Sequence, residues 1–285
     1  MIATADRLLT YRVFVSEVRP IVIADRPPNT KQRTWSPISA TLIEGKQDAV
    51  LVDPLMTIDD GRALADWVAA TGKNLTTIYA THGHGDHWFG ASIVRERFPE
   101  ARFVATPAVI RKMRQQMASE SLKSFWNPLL PAQIPHGLTV AEPLKGGTIE
   151  LEEQDLVVVP LGHTDTDDTT CLHVPSIGLV VAGDAAYNDV HLYLAESNPE
   201  LRREWIAALD TIESLRPRAV IAGHKRPERD DDPRILEETR QYIRDFDRIA
   251  DSAKTTLELY ERMLAPYPNR YNPGALWASV RALKR

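Results

Sequence analysis

The order of apolar and polar positions predicts a chain in which short strands alternate with amphipathic helices. Apolar or alternating runs predict strands at 11–18, 39–44, 49–52, 74–80, 103–105, 148–151, 156–160, 169–174, 179–182 and 219–222. Apolar residues at helical spacing predict helices at 57–70, from 107 to about 120, from 199 to 215 and at 233–264. Prolines and aromatic residues between 123 and 138 indicate a long loop. Together these elements favour an α/β protein.

The last predicted helix, at 233–264, carries a broad apolar face that another surface has to cover. Packing on the body of the protein is the simplest way to cover it. A dimer interface, which would make the protein a homodimer, and a lid over a binding site are the other two. The sequence pattern leaves all three open.

Composition narrows the classes of partner and the cellular location. The 285 residues include 34 Lys and Arg and 39 Asp and Glu, which gives a net charge of −5. A mildly acidic chain has no overall attraction to nucleic acid or anionic membranes, so we expect neither as a partner. Its single cysteine, Cys171, cannot form an intrachain disulfide, and no apolar run approaches the roughly 18 residues of a membrane helix. Since Met1 to Arg12 also lacks a signal-peptide pattern, we expect a cytoplasmic protein.

Chemistry is concentrated in the run 81–87, which reads THGHGDH and follows an apolar strand. Three imidazoles and a carboxylate so close together would be costly to bury without partners. A metal ion removes that cost, because neutral imidazole nitrogens and ionised carboxylates are its ligands. On extended backbone His82 and His84 can point toward one ion, while Asp86 and His87 can face a second.

The same His-x-His-x-Asp-His loop occurs in the metallo-β-lactamase-fold hydrolases, and the chain resembles that family from about 39 to 224. Members carry three further ligands at strand ends, and here His163, Asp184 and His224 each follow an apolar run. The resemblance implies an α/β fold, a four-layered αββα sandwich with a C-terminal helical extension. We therefore expect a catalytic domain over 1–224 and a helical extension, packed on the same domain, over 225–285.

The resemblance also implies a division of the ligands between two divalent metal ions. We expect Zn²⁺, with Fe and Mn as alternatives. Two such ions about 3.5–4 Å apart would lower the pKa of a shared water toward about 7, so that a bridging hydroxide could attack a carbonyl. Asp86 can orient that hydroxide. The implied sets are His82, His84 and His163 for one ion, Asp86, His87 and His224 for the other, and Asp184 as the bridge.

Three further groups of residues bear on the reaction and the substrate. An aspartate at the bridging position, here Asp184, is a feature in which the chain resembles the dizinc thioesterases and lactonases. Members of the family that hydrolyse β-lactams generally lack it, so the resemblance argues against that activity. Tyr187, three residues later, resembles a tyrosine of acyl-homoserine lactonases that contacts the substrate, although packing under the site is the alternative. Asp53, at a strand end, is expected to orient a ligand histidine or else to be a turn residue. The remaining candidates for the pocket wall, which can equally be core residues, are Trp88, Phe89, Phe125, Trp126 and, at the rim, His191.

These observations predict an enzyme, a metal-dependent hydrolase of a carboxylic ester, with a lactone favoured. Its partner would be a small ester, lactone or thioester. The first alternative is an acyl thioesterase of the same fold. The alternative from another class is an iron-dependent oxygenase on the same scaffold.

Overall fold

The structure is a computed structural model that describes residues 9–28 and 30–283. Its first sheet has six strands in the order β1-β4-β5-β6-β7-β8. β1, β4 and β5 pair antiparallel, whereas β5 to β8 pair in parallel. These strands are β1 (Thr10–Val15), β4 (Ser39–Glu44), β5 (Asp48–Val52), β6 (Asn74–Tyr79), β7 (Arg102–Ala105) and β8 (Glu142–Pro143).

A second sheet of five strands has the order β13-β12-β11-β10-β9. Only β12 and β13 pair in parallel; the others are antiparallel. The strands are β9 (Thr148–Leu151), β10 (Gln154–Gly162), β11 (Thr169–Val174), β12 (Leu179–Asn188) and β13 (Ala219–Lys225). A separate antiparallel pair precedes β4 in the chain and consists of β2 (Arg19–Ile21) and β3 (Arg33–Trp35).

The helices lie on the outer faces of these sheets. Among the described helices, four start at threonine or asparagine caps whose side chains accept backbone N–H groups: Thr57 before α1, Thr106 before α3, Asn198 before α6 and Thr255 before α8. The α-helices are α1 (Ile58–Ala69), α2 (Ala91–Arg97), α3 (Pro107–Gln116), α4 (Ser119–Ser121), α5 (Asn127–Leu129), α6 (Pro199–Ser214), α7 (Ile235–Ser252), α8 (Thr256–Leu264) and α9 (Pro273–Leu283).

Three buried clusters show how the layers stack. One joins Val50 and Tyr79 of the first sheet to Leu172 and Ile221 of the second, so the sheets pack face to face. A second cluster covers the outer face of the first sheet with α1, α2 and α3. A third covers the outer face of the second sheet with helices α6 to α9. The predicted four-layered αββα sandwich is therefore confirmed.

The C-terminal helices share the core of the second sheet. The third cluster joins Val220 and Ala222 of β13 to Phe246 of α7, Leu259 of α8 and Leu276 of α9. The apolar face of the extension after 224 is thus covered within the chain. Within the described residues, no helix combines the length and apolar character that crossing a bilayer requires.

Some predicted elements were wrong in detail. The segment 123–138, expected to be loop, begins with a π-helix over Leu122–Trp126 that continues into α5. The segment 233–264, expected as a long helix that is whole or broken in two, is broken: α7 ends at Ser252, and the Thr255 side chain caps α8 by accepting the Glu258 N–H. The strands β2 and β3 and the helix α9 were not predicted. Of the first expected strand, 11–18, the structure has 10–15.

Candidate metal centre

The polar residues expected to bind metal come from both sheets and meet at one edge of the sandwich. His82 and His87 lie on the loop after β6, where 85–87 form a 3₁₀ turn. His163 directly follows β10, Asp184 lies in the middle of β12, and His224 is the next-to-last residue of β13. Six of the seven expected ligands are buried, and the side chain of the seventh, His84, is 12% exposed.

Asp86, His87 and His224 form one group whose ligand atoms all lie within 4.8 Å of one another. Asp184 adjoins this group. Its Oδ1 is 3.2 Å from His87 Nε2 and its Oδ2 is 3.4 Å from His224 Nε2. The structure therefore brings together the four residues expected at the second ion and the bridge.

The other expected set is arranged differently. His82 and His84 form a group of three with Asp165, whose Oδ2 is 2.7 Å from His84 Nδ1 and 3.8 Å from His82 Nε2. His84 Nε2 lies 3.0 Å from Glu196 Oε1, so both of its ring nitrogens face carboxylates. His163 belongs to none of the three-residue groups found among the described residues. Its Nδ1 lies 2.6 Å from Asp167 Oδ1.

Several of these buried atoms have no hydrogen-bond partner. Buried polar atoms nearly always have one, so such a concentration calls for an explanation. Imidazole Nε2 atoms and carboxylate oxygens that converge in one place are the donor set of a divalent metal ion. The residues present therefore fit the metal that the sequence predicts. Among the described residues, these atoms are His82 Nε2, His87 Nε2, His163 Nε2 and Asp184 Oδ1.

The electrostatics of the cluster favour positive charge. Burial by itself would lower the pKa of His224, but Asp184 and Asp86 outweigh it and raise that pKa to about 10. Burial opposes a raised pKa at His87 too, yet Asp184 and Asp86 place it well above its usual range. The same histidines overcome burial to lower the pKa of Asp184. Ionised carboxylates that hold protons on nearby imidazoles can hold a metal cation in their place.

Residues around the cluster fix its orientation. Asp53 accepts the backbone N–H and the hydroxyl of Thr81, both at 2.8 Å, and its Oδ2 lies 3.5 Å from His87 Nδ1. Thr81 Oγ1 is in turn 3.0 Å from His82 Nδ1. On the other side, Trp35 Nε1 donates to Asp86 Oδ2 at 3.0 Å. Such outer contacts set the direction in which ligand atoms point.

Four of the seven expected ligands border a cavity of about 390 Å³. His84, Asp86, Asp184 and His224 form part of its wall. Of the expected pocket residues, Tyr187, Phe125, Trp126 and His191 also line it. The rest of the wall combines apolar side chains of the N-terminal segment and the 121–129 region with residues of the C-terminal helix, including Ile21, Leu129, Ala275 and Ala278.

Trp88 and Phe89 are not among the lining residues. Both are at most 1% exposed and belong to the core beneath the first sheet. The two rings pack edge to face, and Trp88 Nε1 donates to the Gly83 carbonyl at 3.0 Å. The two side chains therefore pack against the ligand loop from the side of the core, not from the side of the cavity.

Tyr187 is placed differently from the contact expected with a substrate carbonyl. Its hydroxyl donates to Asp184 Oδ2 at 2.7 Å, and its ring lies 5.6 Å from that of His224. Burial and the charge of Asp184 raise the pKa of Tyr187, so the phenol keeps its proton. Because a phenol has one proton, it cannot donate to Asp184 and to a substrate at the same time.

Three residues beside the ligands were not identified from the sequence. Trp35 lies 51 positions from its partner Asp86, and a contact of that separation has no local signal. Asp165 falls in a run of Thr and Asp after His163 that is typical of turns, which hid it. Glu196 accepts from Lys112 Nζ of α3 and from Thr166 Oγ1 of the loop after β10, both at 2.8 Å, and so joins that helix to that loop beside His84.

Comparison with solved structures finds the same fold at low sequence identity. A metallo-beta-lactamase family protein from Thermus thermophilus has 20% identity and a TM-score of 0.63, over 95% of this chain and 91% of that one. A metallo-beta-lactamase from Pontibacter korlensis has 14% identity and a TM-score of 0.58, over 82% of this chain and 99% of that one. A metallo-beta-lactamase from Hirschia baltica has 16% identity and a TM-score of 0.57, over 85% of this chain and 95% of that one. At these identities the likeness concerns the fold alone.

A search of curated proteins gives no match. The family model of the metallo-beta-lactamase superfamily matches residues 33–224, about two thirds of the chain. The matched region starts in β3 and ends at the last expected ligand, His224, so it contains the whole cluster. The chain belongs to the metallo-beta-lactamase superfamily, whose members are mostly metal-dependent hydrolases.

Proposed function

We propose that this protein is a metal-dependent hydrolase of carboxylic esters, with lactones favoured. The observation that carries the proposal is the convergence of unpartnered buried histidine nitrogens and carboxylates at the wall of one cavity. A metal-ligand set that opens onto an enclosed, partly apolar space is the arrangement that hydrolysis of a small organic substrate requires.

Two ions, best matched by Zn²⁺ because of the histidine-rich donor set, would be held by the residues already described. Asp86, His87 and His224 would hold one ion and Asp184 would bridge. His82 and His163 would contribute to the other, joined by His84 after it gives up its contact with Glu196, or by Asp165. The ions, when bound, would supply the acidity that makes water nucleophilic at neutral pH and the positive charge that stabilises an oxyanion.

Asp86 is suited to orient the attacking water. It lines the cavity, and Trp35 and His224 both contact its Oδ2. Burial would raise the pKa of Asp86, but His87 and His224 outweigh it and keep the group ionised. An ionised carboxylate fixed in this way can accept a hydrogen bond from water and direct a lone pair of the water toward the ester carbon.

Tyr187 is suited to hold Asp184 in place at the cavity wall. The hydrogen bond between them restricts one carboxylate oxygen and leaves Oδ1 free of hydrogen bonds. A tyrosine three residues after the bridging aspartate is also the feature that resembles acyl-homoserine lactonases. That resemblance, together with the apolar wall formed by Ile21, Trp126 and Leu129, supports a lactone with an acyl chain.

The experiment that tests the proposal measures proton release by the zinc-reconstituted protein on a long-chain acyl-homoserine lactone. Metal content is determined on the same batch, with Asp184→Asn as the inactive control. Turnover that a chelator abolishes and zinc restores is expected. Turnover of an acyl thioester but not of the lactone would favour the thioesterase alternative over the lactonase. Oxygen uptake by the iron-loaded protein, without hydrolysis of either substrate, would overturn hydrolysis.

A further inference from the structure

Arg33 stands out in the cavity wall because of its unmatched charge. Among the described residues that line the cavity, it is the only lysine or arginine. It is partly buried, and burial lowers its pKa, an effect that Asp25 partly offsets. No ion pair within 4.0 Å joins Arg33 to any carboxylate over 9–28 and 30–283. A partly buried guanidinium without such a partner is unusual, since buried charges are generally paired.

Two main-chain carbonyls hold the Arg33 side chain in position. Its NH2 donates to the Gly274 carbonyl at 2.8 Å, and its NH1 donates to the Asp25 carbonyl at 3.2 Å. These contacts fix the plane of the guanidinium and take up two of its five N–H donors, but they do not neutralise its charge. The group is therefore oriented in advance, and among the described residues no carboxylate lies within ion-pair distance of it, while the charge of Asp25 acts from further away.

Other hydrogen-bond donors surround this part of the cavity. Ser36 lines the wall, and its Oγ accepts from Asn272 Nδ2 at 2.6 Å. Tyr193, which also lines the wall, interacts electrostatically with Arg33. Burial raises the pKa of Tyr193, so its hydroxyl stays protonated. Among the hydrogen bonds of the described residues, neither hydroxyl donates to a protein acceptor, so both can donate to a ligand.

The carboxylates of the cavity wall are engaged elsewhere. Asp86 and Asp184 belong to the metal-binding cluster, and Glu196 is bonded to His84, Lys112 and Thr166. The Arg33 end of the cavity therefore offers a cation and two hydroxyl donors, and none of the described carboxylates of the wall forms an ion pair with that cation.

We propose that Arg33, Ser36 and Tyr193 form a subsite for a carboxylate, so that the ester substrate carries an anionic group remote from the reacting carbonyl. The inference deepens the proposed ester hydrolysis and rests on it. A carboxylate fits better than a phosphate, because one guanidinium balances one negative charge and the carboxylates of the wall would repel a second.

The strand β3 sets the distance between this subsite and the metal-binding cluster. Arg33 and Trp35 are two residues apart on β3, so their side chains point to the same side and their Cα atoms are about 7 Å apart. Trp35 contacts Asp86 directly. A chain of about four methylene groups between the carboxylate and the ester carbonyl can lie along the rings of Trp35 and Trp126, which both line the cavity.

A matched pair of substrates tests the subsite. The 4-nitrophenyl monoester of adipic acid ends in a carboxylate, whereas 4-nitrophenyl hexanoate ends in a methyl group and is otherwise alike. For the zinc-loaded protein we expect kcat/KM to be higher for the adipate ester. In Arg33→Met the ratio of the two kcat/KM values should fall about 10- to 100-fold, chiefly through KM, because a charge-assisted contact is lost. Arg33→Lys should restore part of the ratio.

Further variants separate this effect from misfolding. Tyr193→Phe and Ser36→Ala each remove only a hydroxyl and should lower the same ratio by a smaller factor. Arg26→Met is the matched control, because Arg26 also donates to a main-chain carbonyl of the N-terminal segment but does not line the cavity. Its ratio should equal that of the wild type. Equal losses for both esters in Arg33→Met would overturn the subsite.

A binding measurement keeps the inference testable if neither ester is hydrolysed, an outcome that would count against the proposed function alone. Adipamate, which carries a carboxylate and an unreactive amide, is titrated calorimetrically against hexanamide. We expect adipamate to bind more tightly, and Arg33→Met to remove the difference. A difference that survives in Arg33→Met would overturn the subsite. Tighter, Arg33-dependent binding of the corresponding phosphonate would overturn the carboxylate assignment in favour of a phosphate.

Discussion

The indole N–H of Trp35 donates a 3.0 Å hydrogen bond to Asp86 Oδ2, which links the short strand β3 to the ligand loop. Asp86 also faces His87 and His224 at 3.6 and 3.4 Å. The contact therefore restrains Asp86, which lies in the cluster of expected ligands and is also the carboxylate that we expect to orient water.

Replacing Trp35 by Phe removes the N–H and keeps a ring that can pack on Trp126. We expect kcat or metal affinity to fall about 10- to 100-fold, as for other contacts that orient a metal ligand. Both are measured on the same zinc-loaded sample. Trp67→Phe is the control, since Trp67 packs on Phe14 away from the cavity. Wild-type values in Trp35→Phe would show that Asp86 needs no such support.

Asp184→Asn should keep the fold and reduce the zinc content from two ions to one or none. The neutral amide loses the charge that a bridging ligand provides, and the histidines beside it lose their counterion. Elemental analysis after dialysis gives the content, and circular dichroism checks the fold. Asp66→Asn, an exposed change on α1, is the control. Full metal content with near-wild-type turnover would contradict a bridging role.

Tyr187→Phe distinguishes two functions of the phenol. If the hydroxyl acts by holding Asp184, kcat should fall for lactones and open-chain esters alike, by about 1–3 kcal/mol of transition-state stabilisation. A loss confined to lactones would instead indicate direct contact with the lactone. Steady-state kinetics on one substrate of each kind decide between them, and an unchanged rate for both would leave the residue a packing role.

Gly223 allows two ligands to approach the backbone of β13. A Cβ at this position would lie 2.1 Å from Asp184 Oδ1 and 2.9 Å from His87 Cε1, so either ligand would have to move. Gly223→Ala should therefore lose most zinc binding and activity. Gly147→Ala, where a Cβ would meet nothing within 4 Å, is the matched control. Equal zinc content in the two variants would show that the cluster tolerates the shift.

Glu196→Gln should tighten zinc binding near pH 7. Burial would lower the pKa of His84, but Asp165 and Glu196 outweigh it and raise that pKa to about 10. Zinc has to displace the imidazole proton, so affinity should rise with pH toward 10. Removing the charge of Glu196 lowers the pKa of His84, so the rise of zinc affinity with pH should occur at lower pH in the variant. Competition titrations between pH 6 and 9 measure this against Glu200→Gln, and coincident curves would contradict it.

The sequence predicted the parts of the molecule that have a local signal. The ligand loop was visible because three histidines and an aspartate lie within six positions, and the αββα layers were implied by the family resemblance. Asp165 was hidden, because an aspartate in a Thr- and Asp-rich turn usually caps the backbone. Trp35 and Arg33 were hidden because their roles depend on packing between segments that are far apart in sequence. Trp88 and Phe89 were visible in the sequence, but their role was not, because aromatic residues next to a ligand loop can equally line a pocket or pack in the core. The structure places both in the core.

The position of α9 in the cavity wall has a consequence for protein synthesis. The last expected metal ligand is His224, whereas Ala275 and Ala278 of the wall are made about fifty residues later. At about 5–20 residues per second, the ribosome adds that stretch over several seconds. During this interval a nascent chain already contains every ligand but lacks one side of the substrate cavity. Since α7 to α9 also cover the sheet that carries Asp184 and His224, we expect metal binding and substrate selectivity to be completed together, after this stretch is made.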